Sequence, residues 1–513
     1  MNMNEKIVVY DIGTSGAKST LYDKSGVVLS IAEQSYATRY PNANWHEQAP
    51  EDWWNAIVGC TRALIKNTGT DPAEIVCAAT TGHYFGVVPI DRKGVLLRTN
   101  VPIWSDMRGL VQGLRFVNKV GCDKWYAMTG RDHPASCAVA RILWFAENEP
   151  EVHKQVWKYL PTKDYINFRL TGICRTDPSD ASGSGVFSLK EGKYSQELLE
   201  AAGVDGDLFP EIIPSDGIVG SLTVAAASEL GLQKTLKVVC GGGDTCCMAL
   251  GGKGFENGRV HTSLGSSAFI ALTADSIPDK EGIKPNIFKH VIPGLYVVTR
   301  NLHSAGNAFR WVRDTVCADL VRQAAAEGVS AYTLMTNLAE HVPPGANKLI
   351  FYPVLAFGGP QDTSIHTKGA FVGLDLRHRR GDLIRAAMEG IAMSLAWNIE
   401  DMRRIYPVSG DMLLVGGGSE SILWRQIIAD LYDMPVIRTN IGQDAGTLGA
   451  LALAAVGIGL WPGFEKIDTL HVVGDRREPI AENTRKYKSM IEVYKYIATC
   501  QAAIGDRLAA LDM

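Results

Sequence analysis

Several features that would place this chain in a well-known functional class are missing from its sequence. The ten cysteines include no CxxC pair, so their spacing indicates neither a zinc site nor a disulfide framework and favours reduced thiols. A net charge of -4, without a basic run, argues against binding to nucleic acid or to a membrane surface. The P-loop pattern GxxxxGK[ST] is also absent. These absences favour small-molecule chemistry.

No apolar run in the sequence reads as a leader or a membrane-spanning helix. The opening letters MNMNEK lack the apolar stretch of a signal peptide. Residues 445–462 carry no charge, but they contain four glycines, and no basic cluster flanks them. We interpret this segment as a helix packed inside a domain, and we predict a cytoplasmic protein.

The order of the predicted elements indicates an α/β fold. With 513 residues, the chain exceeds the roughly 250–300 at which one hydrophobic core stops growing, so at least two domains are expected. Strand-like runs alternate with segments of helical periodicity. A meander of three strands opens the chain at residues 7–32, and a similar unit begins at Arg259. Glycines cluster at 251–258 between the two, which predicts domains at 1–253 and 254–513.

Both meanders have a first turn that is rich in glycine and hydroxyl residues. In DIGTSG, at residues 11–16, an acid ends a strand and a small-residue turn follows. Such a carboxylate can hold hydrated Mg²⁺ while backbone N–H groups and hydroxyls contact phosphate oxygens. The second turn, SLGSS at residues 263–267, would give a triphosphate contacts from the other half of the chain. An ordinary hairpin turn is the alternative for each.

Two glycine runs end predicted strands. In GGGDT, at residues 241–245, Asp244 follows glycines that let other backbone or ligand atoms approach closely. A carboxylate there can accept a hydroxyl proton during phosphoryl transfer, although a helix cap is the alternative. The run GGGS at residues 416–419 would let a flat base lie against the backbone, but it suits any tight turn.

Tryptophans lie beside polar residues, as Trp104 does beside Asp106. An aromatic ring suits the apolar face of a sugar and an acid suits its hydroxyls, although a single tryptophan is more often part of a core.

Together these motifs resemble the FGGY family of carbohydrate kinases, and within it the xylulokinase branch. The resemblance covers nearly the whole chain in the family's order. The matching segments are DIGTSG (11–16), WHEQ (45–48), DWW (52–54), IWSDMR (103–108), LPTKDYINFRLTG (160–172), DASG (180–183), GAFVGL (369–374), residues 382–389, and GGGS (416–419) with Trp424, Gln426 and Asp430.

The resemblance implies a fold, two cofactors and a set of site residues. It implies two ribonuclease-H-like, actin-like ATPase domains flanking an active-site cleft, with ATP and Mg²⁺ bound. Asp244 would be the catalytic base, and Asp11 would organise Mg²⁺ through water. Contacts with ATP would come from Thr14, Ser15, Gly265, Ser266, Gly306, Gly417, Gly418 and Ser419. Contacts with the sugar would come from His83, Tyr84, Phe85, Trp104, Asp106 and Thr245. A homodimer fits the resemblance, but the sequence carries no interface signal.

The sequence departs from the family's pattern in the sugar pocket. Xylulokinases typically read GQMHG where residues 82–86 read GHYFG, so Phe85 replaces the sugar-contacting histidine and His83 lies two positions earlier. Thr245 follows the base in place of the usual Asn. Exchanges of this kind can alter discrimination between substrates by as much as ~10⁴-fold.

The expected activity is ATP-dependent phosphorylation of a primary hydroxyl of a small open-chain sugar. A ketopentose such as D-xylulose is the first candidate for this sugar. The alternatives are L-ribulose, erythritol or another polyol, a sugar acid and a deoxy sugar. A remoter alternative is an actin-like ATPase without kinase activity.

Overall fold

The computed structural model describes residues 4–277, 282–355 and 361–511. Its strands are β1 (Lys6–Ile12), β2 (Gly16–Asp23), β3 (Val28–Ser35), β4 (Arg39–Asn42), β5 (Trp45–Gln48), β6 (Ile75–Gly82), β7 (Val88–Ile90), β8 (Val101–Pro102), β9 (Lys158–Leu160), β10 (Arg175–Thr176), β11 (Phe187–Ser188), β12 (Lys193–Tyr194), β13 (Glu211–Ile212), β14 (Ile218–Ser221), β15 (Lys237–Gly243), β16 (Arg259–Leu264), β17 (Ala268–Ala274), β18 (Asn286–Lys289), β19 (Tyr296–Leu302), β20 (Ile350–Tyr352), β21 (Ala370–Val372), β22 (Ser409–Val415), β23 (Val436–Thr439) and β24 (Val473–Arg477).

Helices occur throughout the chain and alternate with these strands, which confirms the predicted α/β class. They are α1 (Pro50–Thr68), α2 (Leu110–Val120), α3 (Cys122–Thr129), α4 (Ala138–Asn148), α5 (Pro150–His153), α6 (Thr162–Thr171), α7 (Pro178–Ala181), α8 (Gln196–Ala202), α9 (Val224–Leu230), α10 (Asp244–Gly251), α11 (Gly306–Val316), α12 (Ala318–Glu327), α13 (Ala331–Glu340), α14 (Arg380–Ile405), α15 (Ile422–Tyr432), α16 (Ala445–Gly457) and α17 (Ala481–Ala509).

Spatial contacts divide the chain into two compact units. The first comprises Met1–Asn257, Thr273–Val298 and Asp444–Leu470, and the second comprises Gly258–Leu272, Thr299–Gln443 and His471–Met513. Segments from the second half of the sequence therefore pack into the first unit. The domain bounds at 1–253 and 254–513 stay a prediction.

The first unit is built on a six-stranded sheet with the order β14-β15-β6-β1-β2-β3. Its β1, β2 and β3 form the predicted antiparallel meander, whereas β1, β6 and β15 run parallel. The central run IVVY of β1 is completely buried. A parallel strand with a continuous apolar run is expected where both faces of a sheet are covered, and α1 contributes Trp53 and Trp54 to this core.

The second unit has its own sheet, in which the neighbours follow the order β19-β17-β16-β22-β23-β24. The second predicted meander is present, since β16 and β17 form an antiparallel pair. On the other side of β16 lies β22, which runs parallel to it, so the two strands end at the same edge.

The uncharged segment at residues 445–462 forms α16, and its residues 445–455 are all buried. Within the described part of the chain, no helix combines the length and apolarity needed to cross a membrane. The helix packs tightly against α10, because a Cβ atom on Gly449 would lie 1.9 Å from the carbonyl oxygen of Cys247. The four glycines of this segment therefore include one that permits close contact between helix backbones.

We expect Gly449→Ala to lower the free energy of unfolding by ~1–3 kcal/mol, because the added methyl group overlaps a backbone atom. Urea unfolding would measure the change. Gly446→Ala is the matched control in the same helix, since the nearest atom to its added Cβ lies 4.0 Å away. Equal stability of the two variants would contradict the proposed packing constraint.

Candidate active site

The parallel strands of the first unit bring both predicted acids to one edge of the sheet. Asp11 lies near the end of β1, and Asp244 follows the end of β15, with β6 between these strands. In register, Asp11 is opposite Thr81 and Thr81 is opposite Gly242. Since neighbouring strands lie about 4.8 Å apart, the two strand ends are separated by about 10 Å.

The glycines before Asp244 are required by close backbone packing. Gly241 has a φ of 73°, and a Cβ atom there would lie 1.7 Å from the carbonyl oxygen of Thr80. A Cβ atom on Gly243 would lie 2.1 Å from Cζ of Tyr84. The chain can therefore reach Asp244 along this path only with glycine at these positions.

Asp244 has the properties of a general base. Its Oδ1 accepts hydrogen bonds from the Thr245 backbone N–H at 2.6 Å and from Thr245 Oγ1 at 3.1 Å. Its Oδ2 has no hydrogen-bond partner among the residues that the structure describes. The pKa of Asp244 is raised to about 7, first by burial and then by the charge of Asp11, although the Thr245 hydrogen bonds oppose this shift. A pKa near the working pH is what a general base needs.

Asp11 is half-buried, and burial raises its pKa to about 6; Lys18 opposes this shift and Asp444 adds to it. Lys18 Nζ donates to Asp444 Oδ1 at 2.8 Å. The repulsion between Asp11 and Asp244 would be relieved by a divalent cation, so these oxygen donors fit Mg²⁺. Among the described residues, no group of three or more His, Cys, Asp or Glu could hold a metal ion.

Three hydrogen bonds stabilise the turn after β1, one within the turn and two from other segments. The Gly13 N–H donates to the Gly16 carbonyl at 3.0 Å, and Gln48 Nε2 donates to the Thr14 carbonyl at 2.7 Å. Trp104 Nε1 donates to Thr14 Oγ1 at 3.0 Å. Ser15 at the tip is exposed. The structure therefore brings the predicted sugar-side tryptophan into contact with the predicted phosphate turn.

The loop at residues 82–86 presents unpartnered polar atoms beside Asp244. His83 is buried, its Nδ1 lies 3.3 Å from Thr162 Oγ1, and its Nε2 has no partner among the described residues. Burial lowers the pKa of His83 to about 4, so the ring is neutral at physiological pH. The buried hydroxyl of Tyr84 also lacks a described partner. Phe85 has a φ of 64°, a conformation that a bulky residue adopts only under constraint.

Arg141, which the sequence interpretation missed, holds this loop in place. The guanidinium is fully buried and donates to the carbonyls of Phe85 at 3.2 Å, Ser136 at 3.1 Å, and Trp104 and Asp106 at 2.8 Å each. Burial lowers its pKa to about 10, so it remains a cation. A lone arginine in the apolar run AVARILWF of α4 was the only sequence signal.

Asp106, a predicted sugar contact, is engaged in internal hydrogen bonds, and its contact with the sugar stays a prediction. It is fully buried, and its Oδ2 accepts from the His46 N–H and from Arg108 Nη2, both at 2.8 Å. Its Oδ1 accepts from the Arg108 backbone N–H at 3.0 Å and from Arg108 Nε at 2.9 Å. Both oxygens are thus occupied in fixing the loop that carries Trp104.

In the second unit, the predicted phosphate turn is held by the start of α11. The Gly306 N–H donates to the Gly265 carbonyl at 3.0 Å, and the Asn307 N–H donates to the Ser266 carbonyl at 2.9 Å. Ser266 is exposed, and its Oγ accepts from Arg310 Nη2 at 3.2 Å. Gly265, Ser266 and Gly306 therefore form one local group.

The glycine run after β22 lies beside the end of β16. A Cβ atom on Gly418 would lie 2.4 Å from the side chain of Leu264, and Gly417 is exposed. Ser419 is fully buried and its Oγ donates to the Gly416 carbonyl at 2.7 Å. The Ser419 side chain therefore makes an internal contact, and the contact of this residue with ATP stays a prediction.

Solved structures define the class of fold. A ligand-bound xylulose kinase from Lactobacillus acidophilus superposes with a TM-score of 0.90 at 23% identity, over 98% of this chain and 100% of that one. The chain has the fold of the sugar kinases, which is that of the actin-like ATPases.

Family models then give the particular family. The N-terminal and C-terminal domain models of the FGGY family of carbohydrate kinases match residues 6–251 and 260–458. This chain belongs to the FGGY family of carbohydrate kinases. It is 29% identical to the xylulose kinase of Bacillus subtilis over 96% of each chain. It is 25% identical to the gluconokinase of Bacillus licheniformis over 96% of this chain and 95% of that one.

We expect Asp244→Asn to stabilise the protein in a pH-dependent way. The folded-state pKa of about 7 exceeds the ordinary 3.8, so ionisation of Asp244 destabilises the folded state increasingly as the pH rises through that interval. Thermal unfolding should show a higher midpoint for the variant near pH 8 and little difference near pH 4. The exposed Asp207→Asn is the control. A pH-independent difference would contradict the raised pKa.

Proposed function

We propose that this chain transfers the γ-phosphate of ATP to a primary hydroxyl of a small open-chain sugar, with the ketopentose D-xylulose as the first candidate and D-xylulose 5-phosphate as the product. The observation that carries the proposal is Asp244, a half-buried carboxylate with a raised pKa and an open Oδ2. The unpartnered His83 Nε2 and Tyr84 hydroxyl nearby would bind further hydroxyls of the acceptor. The full-length similarity to a xylulose kinase supports a ketopentose.

In the proposed mechanism, the acceptor hydroxyl donates a hydrogen bond to Asp244 Oδ2. As its oxygen bonds to the γ-phosphorus and the bond from that phosphorus to the ADP oxygen breaks, the proton passes to Asp244. Each unit carries its own small-residue turn for phosphate oxygens, Thr14–Ser15 in the first and Gly265 and Ser266 with Gly306 in the second. Gly417 and Gly418 of the second unit line the adenosine. Mg²⁺, when bound through Asp11, supplies charge neutralisation at the phosphates. The side chains of Asp106 and Ser419 make internal hydrogen bonds, and the contacts of these residues with sugar and ATP stay predictions.

A second acceptor class is supported by two observations. Phe85 places an apolar ring where xylulokinases typically carry a sugar-contacting histidine, and the gluconokinase similarity also extends over almost the whole chain. A sugar acid such as gluconate is therefore the second candidate acceptor.

The cellular location and assembly belong to the same proposal. The ten cysteines are all free, and together with the use of ATP this supports a cytoplasmic enzyme. The homodimer stays a prediction that analytical ultracentrifugation would test.

We expect Asp244→Ala to lower turnover by at least ~10²-fold, because the proton acceptor is lost. A coupled assay for ADP would measure turnover, and calorimetry should show nearly unchanged ATP binding. Near-normal turnover would refute the role of Asp244.

A panel of D-xylulose, L-ribulose, erythritol and gluconate would identify the acceptor. If the ring of Phe85 excludes the hydroxyl that a histidine would bind, Phe85→His should raise kcat/KM for D-xylulose by at least ~10-fold. Histidine also tolerates positive φ better than phenylalanine, so the variant should fold. ATP hydrolysis that needs no acceptor and forms no sugar phosphate would instead support the ATPase alternative.

A further inference from the structure

The first unit contains a buried ion cluster that the proposed mechanism does not use. Lys163 Nζ is 2.5 Å from Asp164 Oδ1, 3.1 Å from Asp177 Oδ1 and 3.9 Å from Asp180 Oδ2. All four side chains are at most 3% exposed. Buried charges are costly unless they are paired and hydrogen-bonded, so such a cluster requires a specific arrangement of the surrounding chain.

Asp177 is the centre of this arrangement. Besides Lys163, its Oδ1 accepts from the Asp180 N–H at 3.3 Å. Its Oδ2 accepts from the Ser179 N–H at 3.0 Å and from Ser215 Oγ at 2.7 Å. The bonds from the Ser179 and Asp180 N–H groups hold the first turn of α7, and with it Ser179, in one orientation.

Ser179 connects this cluster to the catalytic strand end. Its fully buried Oγ accepts a hydrogen bond from the Gly243 N–H at 3.0 Å, one residue before Asp244. A Cβ atom on Gly242 would lie 3.1 Å from the same oxygen. The Ser179 hydroxyl is therefore packed closely against both Gly242 and Gly243. Residues 241–243 are all glycine, so they have no side chains that could fix this backbone, and glycine is conformationally permissive.

We propose that Ser179 is a positioning residue for Asp244, with the Lys163–Asp177 ion pair as its support. Gly241 and Gly243 permit the close packing that brings the chain to the sheet edge where Asp11 and Asp244 lie. The Ser179 hydroxyl restricts the backbone freedom that these glycines introduce. A reacting group that is misplaced by a fraction of an ångström loses much of its catalytic effect. The inference rests on the proposed role of Asp244 as the base.

The test is a double-mutant cycle of Ser179→Ala and Asp244→Asn, measured as kcat and as KM for ATP. Ser179→Ala should lower kcat by ~10-fold with KM for ATP within ~2-fold, since only the base is displaced. In the Asp244→Asn background, the same substitution should change the residual kcat by less than ~2-fold, because no base is left to position.

The matched control is Ser215→Ala, which removes an equally buried hydroxyl from the same Asp177 oxygen without touching Gly243. Its kcat should stay within ~3-fold of wild type. Hydrogen exchange of the peptide that contains residues 241–247 should be faster in Ser179→Ala than in Ser215→Ala, which gives a readout independent of activity.

Equal losses of kcat in both backgrounds, or equal losses in Ser179→Ala and Ser215→Ala, would overturn the inference alone. Unchanged exchange at residues 241–247 would do the same, even for a variant too unstable to assay. Wild-type turnover in Asp244→Asn would overturn the proposed base and the inference together.

Discussion

The first unit depends on the close packing at the end of β15, where the backbone lies against its neighbours with no room for side chains. A Cβ atom would come within 1.7 Å of Thr80 at Gly241 and within 2.1 Å of Tyr84 at Gly243. This constraint fixes the path of the chain into α10, and therefore where Asp244 lies. It also places Tyr84, and the loop that carries it, directly against the end of β15.

This packing has an energetic consequence for the two acids at the same edge. Burial raises the pKa of Asp244 to about 7 and that of Asp11 to about 6, so both carboxylates are less stable as anions here than in water. Such groups lower the stability of the folded protein, and they occur commonly at functional sites. The buried Arg141 links the loops around the site through hydrogen bonds to four carbonyls.

In the second unit, as in the first, a small-residue turn joins two antiparallel strands, β16 and β17 in the second and β1 and β2 in the first. Its turn at Gly265 and Ser266 is held by backbone hydrogen bonds from the first residues of α11. The N–H groups of Gly306 and Asn307 are used in these bonds, so the start of α11 fixes the shape of the turn. In both units the turn is supported by neighbouring segments, through its backbone and through the hydroxyls of Thr14 and Ser266.

Local pattern alone determined the two meanders, the buried helix at residues 445–457 and the strand ends at Asp11 and Asp244, because hydrophobic periodicity and glycine runs are properties of neighbouring residues. The tertiary structure decided the features that depend on contacts between distant segments. Asp106 and Ser419 turn inward, Arg141 reaches Phe85 across 56 positions, and Ser179 reaches Gly243 across 64. Residues 444–470 join the first unit. Such contacts depend on which distant segments pack together, and one sequence carries no local signal for that.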